Sequence, residues 1–438
     1  MMRRLTGVAL CATVLLSLPP APAPAEVPAE LLSQPWYPKA PPLPKPTGEV
    51  LRVKNAGELM RACQTVKAGG TILIADGHYI LPREVRITKD NVTVRSESGD
   101  RTKVILDGKR PGARWPLGKI CAVSYCSGVT FADFTIANCQ HNGFKINSNH
   151  NVHRVTIYNC VIHNVWQRGV KGVRAPMKDG KTQHVLDCRV QYCLFYNDRP
   201  KKWEDESYEF SNRRYGGNYI GGMDIMGAKG WIVSDNVFVG IKGRTGGARG
   251  SIFMWNDSTD CVIERNIFID CDRGVCMGNG HRAKDADGKP ILPIHCTRFL
   301  VRNNFISGDA IEVGILCEFT QDCKVLNNTV HNPKNKSGRL IRIVQDNDGL
   351  LVANNIVSGR KIRIEKHTGT LAVRNNLEGG PFTDYFLDVA KGNLRLTDRA
   401  IKALDKAEAM KEVPADIDGT VRGEQPDLGA DERRAGGD

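Results

Sequence analysis

The chain has 438 residues, a formal net charge of +13, and charged side chains at 25% of positions. Such a basic balance implies affinity for polyanions, yet no nucleic-acid module is legible, which argues against DNA or RNA as the partner. The single long apolar run, at the N-terminus, is too short to cross a bilayer and no other stretch qualifies, so membrane insertion is excluded.

Met1, Met2, Arg3 and Arg4 supply a positive start, residues 5–18 an apolar run, and Ala23-Pro24-Ala25 a small-residue cleavage site. Together they read as a signal peptide over 1–25, cleaved near Ala25, and predict a secreted or periplasmic protein. Its removal takes away Arg3 and Arg4 and no acid, so the formal charge falls from +13 to +11. Residues 26–48 (…PWYPKAPPLPKPTG…) form a proline-rich, extended leader. A first strand is expected at 51–53, followed by helical periodicity over 56–67 with Leu59, Met60, Cys63 and Val66 on one side. The segment AGGTILIADGHYIL (68–81) then returns the chain to strand.

From there one phrase recurs: apolar β-formers, an Asn or Cys, another apolar residue, a turn. It appears as FTIANC (134–139), VTIYNCVI (155–162), RVQYCLF (189–195), WIVSDNVF (231–238) and CVIERNIF (261–268), then FLVRNNF (299–305), KVLNNTV (324–330), LLVANNIV (350–357) and LAVRNNL (371–377). Aligned on Cys139, Cys160, Cys193, Asn236, Asn266, Asn304, Asn328, Asn355 and Asn376, the spacings are 21, 33, 43, 30, 38, 24, 27 and 21. A floor near 21 with variable insertions is the signature of a solenoid whose loops grow on particular coils. The predicted fold is all-β: a right-handed parallel β-helix over 49–397, with a short N-terminal capping helix. Equivalent residues stack about 4.8 Å apart in such a fold, and Asn suits the stack because its amide can bond to the same amide one coil on. Cys fills the same interior position in the earlier coils. Of 14 cysteines, 13 remain after Cys11 is removed, an odd number that leaves at least one thiol free. Cys121/Cys126, Cys188/Cys193, Cys271/Cys276 and Cys317/Cys323 lack zinc-site spacing, so they read as packing residues, with a few inter-coil disulfides left open.

Four long insertions interrupt the coils, at 166–184, 197–224, 240–250 and 278–296. They are expected after the same strand phase, projecting from one side and walling a groove along the parallel strands. Beyond the coils, 398–413 has the pattern of a short amphipathic helix, so 398–438 is assigned as a C-terminal helix and tail.

The helix at 56–67 followed by G-G-T-I-x-I-x-x-G-x-Y resembles the N-terminal cap of pectin-lyase-like β-helix proteins, and ADIDGTVRGEQPDLGADE (415–432) resembles their terminal segment. The resemblance covers about residues 50–432 and is specific for fold rather than chemistry. RGSIFMWNDSTDCVIERNIF (249–268) is similar in layout to the catalytic coil of the alginate lyase and chondroitinase B family, which has an Arg-His pair where this chain has Trp255-Asn256. That departure removes the acid the family uses. The dense Asp cluster of calcium-dependent pectate lyases is also missing, which leaves Ca2+ open as a cofactor and the metal ligands unknown.

Cleavage of a uronate chain by elimination needs a cation for the carboxylate, a base for the C5 proton and an acid or water for the leaving oxygen. Hydrolysis needs two carboxylates flanking the bond. The groove segments supply Arg244, Arg249, His163 and His281 for the first chemistry, and Asp224 and Asp257, on or beside strands, for the second. Asp198, Asp205, Asp272 and Glu206 are weaker carboxylates. Substrate contacts are expected from Trp166, Arg168, Arg213, Arg214, Tyr215, Tyr219, Lys242 and Trp255, whose aromatic rings can stack on pyranose faces. Each has a blander role open to it. Arg213, Arg214 and Lys201–Lys202 suit a solvated loop face, Asp272-Arg273 a turn-closing ion pair, and Asp257 an Asx turn. The sequence therefore points to an exported, monomeric carbohydrate-active protein. Its expected partner is an anionic polysaccharide, uronate-containing or sulfated, and the expected activity is lyase or glycoside hydrolase. A non-catalytic polysaccharide-binding or cell-surface solenoid and a polymer-level uronate epimerase are the alternatives.

Overall fold

The computed structural model describes residues 28–433 apart from 33, 208–212, 310 and 335–337; the signal peptide expected at 1–25 lies outside the described residues. Short strands repeat coil after coil and pair in parallel with their equivalents above and below, building sheets of 12, 14 and 11 strands. The protein is all-β, a right-handed parallel β-helix. Among the described residues, antiparallel strand pairs are two small hairpins, Met177–Lys178 with Lys181–Thr182 and Phe386–Asp388 with Asn393–Leu396, besides single bridges at Lys284–Pro290 and Ala415–Val421.

The turn from the 12-stranded to the 11-stranded sheet explains the recurring phrase. Its first residue is left-handed, as at Asp235, Asn303, Asn327, Asn354 and Asn375, a conformation Asn and Asp tolerate better than most residues. The next residue points inward. There Asn236, Asn266, Asn304, Asn328, Asn355 and Asn376 form a ladder, buried as far as Asn355, each amide Nδ2 donating to the next Oδ1 at 2.8–3.0 Å. Each Oδ1 also accepts the backbone N–H of the coil before it, as Asn304 does from Asn266 at 3.0 Å. Polar groups without access to water are thereby satisfied. Cys193 and Cys160 continue the stack. Cys139 does not: Val161 pairs with Thr135 and Val165 with Cys139, so the residue equivalent to Cys160 is Phe134. The expected anchor at Cys139 is five residues off phase in the sheet, because FTIANC repeats the motif's chemistry without its register.

All 13 described cysteines are buried free thiols, consistent with packing. Phe195, Phe238 and Phe268 stack face to face, with centroids 4.4 and 4.9 Å apart. A Cβ on Gly222 would lie 2.7 Å from the Phe238 ring and 2.5 Å from a neighbouring carbonyl, so only Gly lets the 14-stranded sheet approach that stack.

The N-terminal helix is Ala56–Thr65; Asn55 caps it by accepting the Glu58 N–H at 2.9 Å, and Leu59, Met60, Ala62 and Cys63 face the first coils. The C-terminal helix expected over 398–413 is not formed; the segment runs as turns. Its backbone has another task. The carbonyls of Lys406, Glu408 and Ala415 accept from Asn375, Asn354 and Asn303, so the tail runs back along the flank of the coils, bonded to side chains of the left-handed turn residues. The proline-rich leader shares this flank: Tyr158 Oη donates to Pro41 O and Arg395 to Trp36 O.

Candidate functional site

The four insertions do not share one strand phase. Those at 197–220 and 240–249 enter the 14-stranded sheet from the 11-stranded one, whereas 173–184 and 278–295 leave the sheet at its other margin. They wall the outer face of the 14-stranded sheet from both sides. Between them is a cavity of about 390 Å³ lined by Arg168, Lys171, Arg214, Tyr215, Tyr219, Asp224, Met226, Arg249, Phe253, Trp255, Asn279 and His281.

The register sets its floor. Lys171 pairs with Asp224, Asp224 with Phe253, and Met226 with Trp255. Asp224 is 2% exposed and is the hub: Oδ2 accepts from Arg168 Nε at 3.0 Å and Lys171 Nζ at 2.8 Å, and Oδ1 accepts from Trp255 Nε1 at 3.0 Å. Burial pushes its pKa upward, but Lys171 and Arg168 outweigh burial and hold the carboxyl well below the ordinary range. An Asp so held is a fixed anion rather than an acid.

Arg168 is only 1% exposed. Its Nη1 donates to Gln167 O, its guanidinium lies 4.1 Å from the Tyr219 ring centroid, and its buried Nη2 has no hydrogen-bond partner among the described residues. Tyr219 stacks on Tyr215 at 4.8 Å. Behind them Lys201, expected on a solvated face, is instead fully buried. Its Nζ donates to Glu206 at 3.1 Å and to Tyr219 O at 3.0 Å, and Gln167 also donates to Glu206. This buried pair fixes the aromatic wall. Arg249 sits 5.5 Å from the rings of both Tyr215 and Phe253 and donates to Asn279 at 3.3 Å. Burial, then Arg168 and Arg273 beside it, lower its pKa. Asp272 makes no turn-closing pair with Arg273: Asp272 accepts from the N–H groups of Gly243 and Ala248, pinning the 240–249 loop, while Arg273 pairs with Glu312.

The fold thus brings Asp224, Arg249 and His281 together with Arg168, Arg214, Tyr215, Tyr219 and Trp255. It leaves others outside the cavity. His163 belongs to the 11-stranded sheet, where it bonds Asp198 at 2.7 Å and stacks on Tyr196. Asp257 occupies the corner after Gly250–Trp255 with φ 60°, its carbonyl accepting from His184 at 2.8 Å. Arg244 donates to Gly216 O and lies 5.6 Å from the Trp203 ring, Lys242 pairs with Asp270, and Trp166 packs under Arg199. Arg213 is exposed beside the undescribed 208–212.

Three contributors were not foreseen. His295 is fully buried; Nε2 donates to Asn279 O at 2.8 Å while Nδ1 accepts the Asn256 N–H at 3.2 Å, and burial pushes its pKa down to about 4. It ties the 278–295 loop to the Trp255 corner as a neutral ring. Asn279 connects that loop to Arg249. Glu318, on Val313–Gln321, is 8% exposed, and its side chain makes no hydrogen bond or ion pair among the described residues. Gly280 of the lining loop stands against it, for a Cβ there would be 3.2 Å from its Oε1. Burial raises its pKa against the opposing pull of Arg342, Arg273, Arg249 and Arg282. The signal was an acid inside an otherwise apolar strand, VGILCEFTQ. Among the described residues, the one grouping of acidic side chains with metal-ligand spacing is Asp416, Asp418 and Asp431 in the tail, none of which lines the cavity.

No protein-family model and no curated protein matches the chain. Among solved structures it is similar to pectate lyase Pel9A, at 12% identity over 89% of this chain and 97% of that one, with a TM-score of 0.53. An alginate lyase from Paenibacillus sp. str. FPU-7 aligns at 12% identity over 75% and 98% with TM-score 0.44. PfbA, a surface adhesin of Streptococcus pneumoniae, aligns at 12% over 74% and 87% with TM-score 0.45. At such identities the likeness fixes architecture alone, and function must be argued from the groove.

Proposed function

We propose that the protein is an exported enzyme that cleaves a uronate-containing polysaccharide by β-elimination in the groove around Asp224. The observation that carries this is the lining's charge: Arg168, Lys171, Arg214 and Arg249 face one carboxylate, already neutralised, among four aromatic rings. A sugar ring stacks on Tyr215 and Tyr219, and its carboxylate takes the place of a second anion beside Lys171 and Arg249. Cationic neutralisation of that carboxylate acidifies the C5 proton, because the carbanion's charge spreads onto the carboxylate oxygens. The C5–H electron pair then becomes the C4–C5 double bond as the C4–O bond breaks, and the leaving oxygen takes a proton from water. Glu318 lies outside the lining but against Gly280 of the lining loop; its carboxyl has no hydrogen-bond partner among the described residues, burial raises its proton affinity, and it is the acceptor assigned to the C5 proton. Hydrolysis by two carboxylates is the weaker reading, since Asp224, the one carboxylate in the cavity's lining, is locked by three donors.

The test is incubation of the mature protein with polygalacturonate, alginate and glycosaminoglycans, with and without calcium. Ultraviolet absorbance of the unsaturated product and reducing ends are followed together, alongside binding. Both signals should rise, and Arg249→Ala or Lys171→Ala should cut turnover by roughly 10²-fold. Glu318→Gln should abolish turnover while substrate still binds. Reducing ends without the absorbance would establish hydrolysis instead, and binding without either signal would make the protein a binding solenoid.

A further inference from the structure

The outer face of the 14-stranded sheet does not end at the Asp224 cavity. Toward the N-terminal cap lies a larger cavity, about 700 Å³, whose rim carries Arg83, Arg86, Lys89, Arg110 and Lys119 against one acid, Glu84. Glu84 is shared by Arg86 and by Lys119 at 2.9 Å. Arg83 and Lys89 are exposed and have no ion pair or hydrogen bond among the described residues.

Two columns of outward residues join the cavities. The register aligns Arg86 with Ala122, Ala122 with Lys145 and Lys145 with Lys171, and beside them Lys119 with Asn142 and Asn142 with Arg168. Lys171 and Arg168 line the first cavity; Arg86 and Lys119 line the second. Lys145, between them, is half-buried, and its side chain has no ion pair or hydrogen bond among the described residues. Burial lowers its pKa first, and the adjoining Lys119 and Lys171 lower it further. Like charges one strand apart repel, so this row is a standing electrostatic cost in the free protein that a linear polyanion would relieve.

We infer that the columns from Lys171 through Lys145 to the Arg83–Lys89 cavity form a second binding region for the same anionic polysaccharide chain, lying lengthwise across successive coils. This rests on the reading of the Asp224 groove as a polyuronate site. The two cavities are two to three strand steps apart along these columns, about 10–14 Å at roughly 4.8 Å per step. A sugar residue is comparable in length to one such step, so a short oligomer in the Asp224 groove does not reach the far cavity while a longer one does. Affinity should therefore depend on chain length, with the increment carried by Lys145, Arg83 and Lys89.

The experiment is calorimetric titration of the mature protein with oligogalacturonates and alginate-derived oligouronates from dimers to dodecamers, with a single-stranded oligodeoxynucleotide as polyanion control. Wild type should bind the longest uronates about tenfold more tightly than the shortest that bind. The Arg83→Ala/Lys89→Ala/Lys145→Ala variant should lose that increment and retain short-oligomer affinity, and Lys145→Gln alone should lose part of it. Length-independent binding in wild type, or an undiminished increment in the variants, overturns the second region while leaving the Asp224 groove standing. No binding at any length overturns both. An equal length increment for the oligonucleotide would overturn sugar recognition in favour of nucleic acid.

Discussion

Asp224→Asn tests the electrostatic centre of the groove. Arg168 and Asp224 have side chains only 1% and 3% exposed, and Lys171 only 15%. The amide keeps an oxygen for Trp255 or for one cation but removes the negative charge on which both cations rest. Breaking a buried ion pair by neutralising one partner costs about 3–5 kcal/mol, because the other charge stays buried without compensation. Loss of only one of three charge-assisted hydrogen bonds would account for about 1.5–3 kcal/mol. The expected loss is thus at or above about 3 kcal/mol, read by urea denaturation. Trp255, bonded to Asp224 Oδ1, is the local fluorescence reporter. The pH dependence has a fixed sign. Asp224 is depressed in the folded state, so its contribution is fully present above the unfolded value of about 3.9 and is lost as pH falls through the folded pKa. The variant should therefore lack a decline in stability that wild type shows below about pH 4. A cost under about 1 kcal/mol with unchanged tryptophan emission would refute the hub argument.

Three further outcomes are expected. Asn304→Ala removes the acceptor of the Asn266 backbone N–H and breaks the amide ladder on both sides; with the small cavity added, the loss should be about 2–4 kcal/mol, and a urea midpoint equal to wild type would count against the ladder. Asp431 in the tail is pushed up to about 7 by burial, so its neutral form is favoured on folding and stability should fall as pH rises from about 4 to 7. Asp431→Asn keeps an acceptor for the Leu396 N–H and should flatten that slope; an unaltered pH–stability profile in the variant would show Asp431 to be ionised in the fold. Gly222→Ala drives a methyl into the Phe238 ring and a facing carbonyl and should destabilise by about 1–3 kcal/mol, a figure that thermal melts of the variant can contradict directly.

The repeating phrase was enough to read the coil, its Asn ladder and the cap, because period-two strands and a left-handed turn residue are local requirements repeated coil after coil. Local chemistry can still mislead about register: FTIANC carries the right residues, but pairing places Phe134 where Cys139 was expected. The helix expected at 398–413 failed for a related reason. Its apolar spacing suited a helix, yet the tail's carbonyls bond to Asn303, Asn354 and Asn375 on the solenoid flank instead.

The site was legible only in part. Sequence placed Arg168, Asp224, Arg249 and Trp255 in insertions or on adjoining strands, but Arg168 and Asp224 are 56 positions apart and Asp224 and Trp255 31. Coils of unequal length make such distances uninformative until strand register stacks them. His163 and Asp257 had equally suitable chemistry and were turned elsewhere by one sheet's phase and one corner's backbone. Glu318 and Lys145 drew no notice as single letters within strands. What marks them is the company each keeps across neighbouring coils: arginines converging near a carboxyl that bonds to nothing among the described residues, and lysines aligned one strand apart. The sequence by itself determined the coil and its inward-facing chemistry, since each turn must satisfy the same local needs. Only the stacking of coils decided which outward charges meet, because that depends on register summed over insertions of different length.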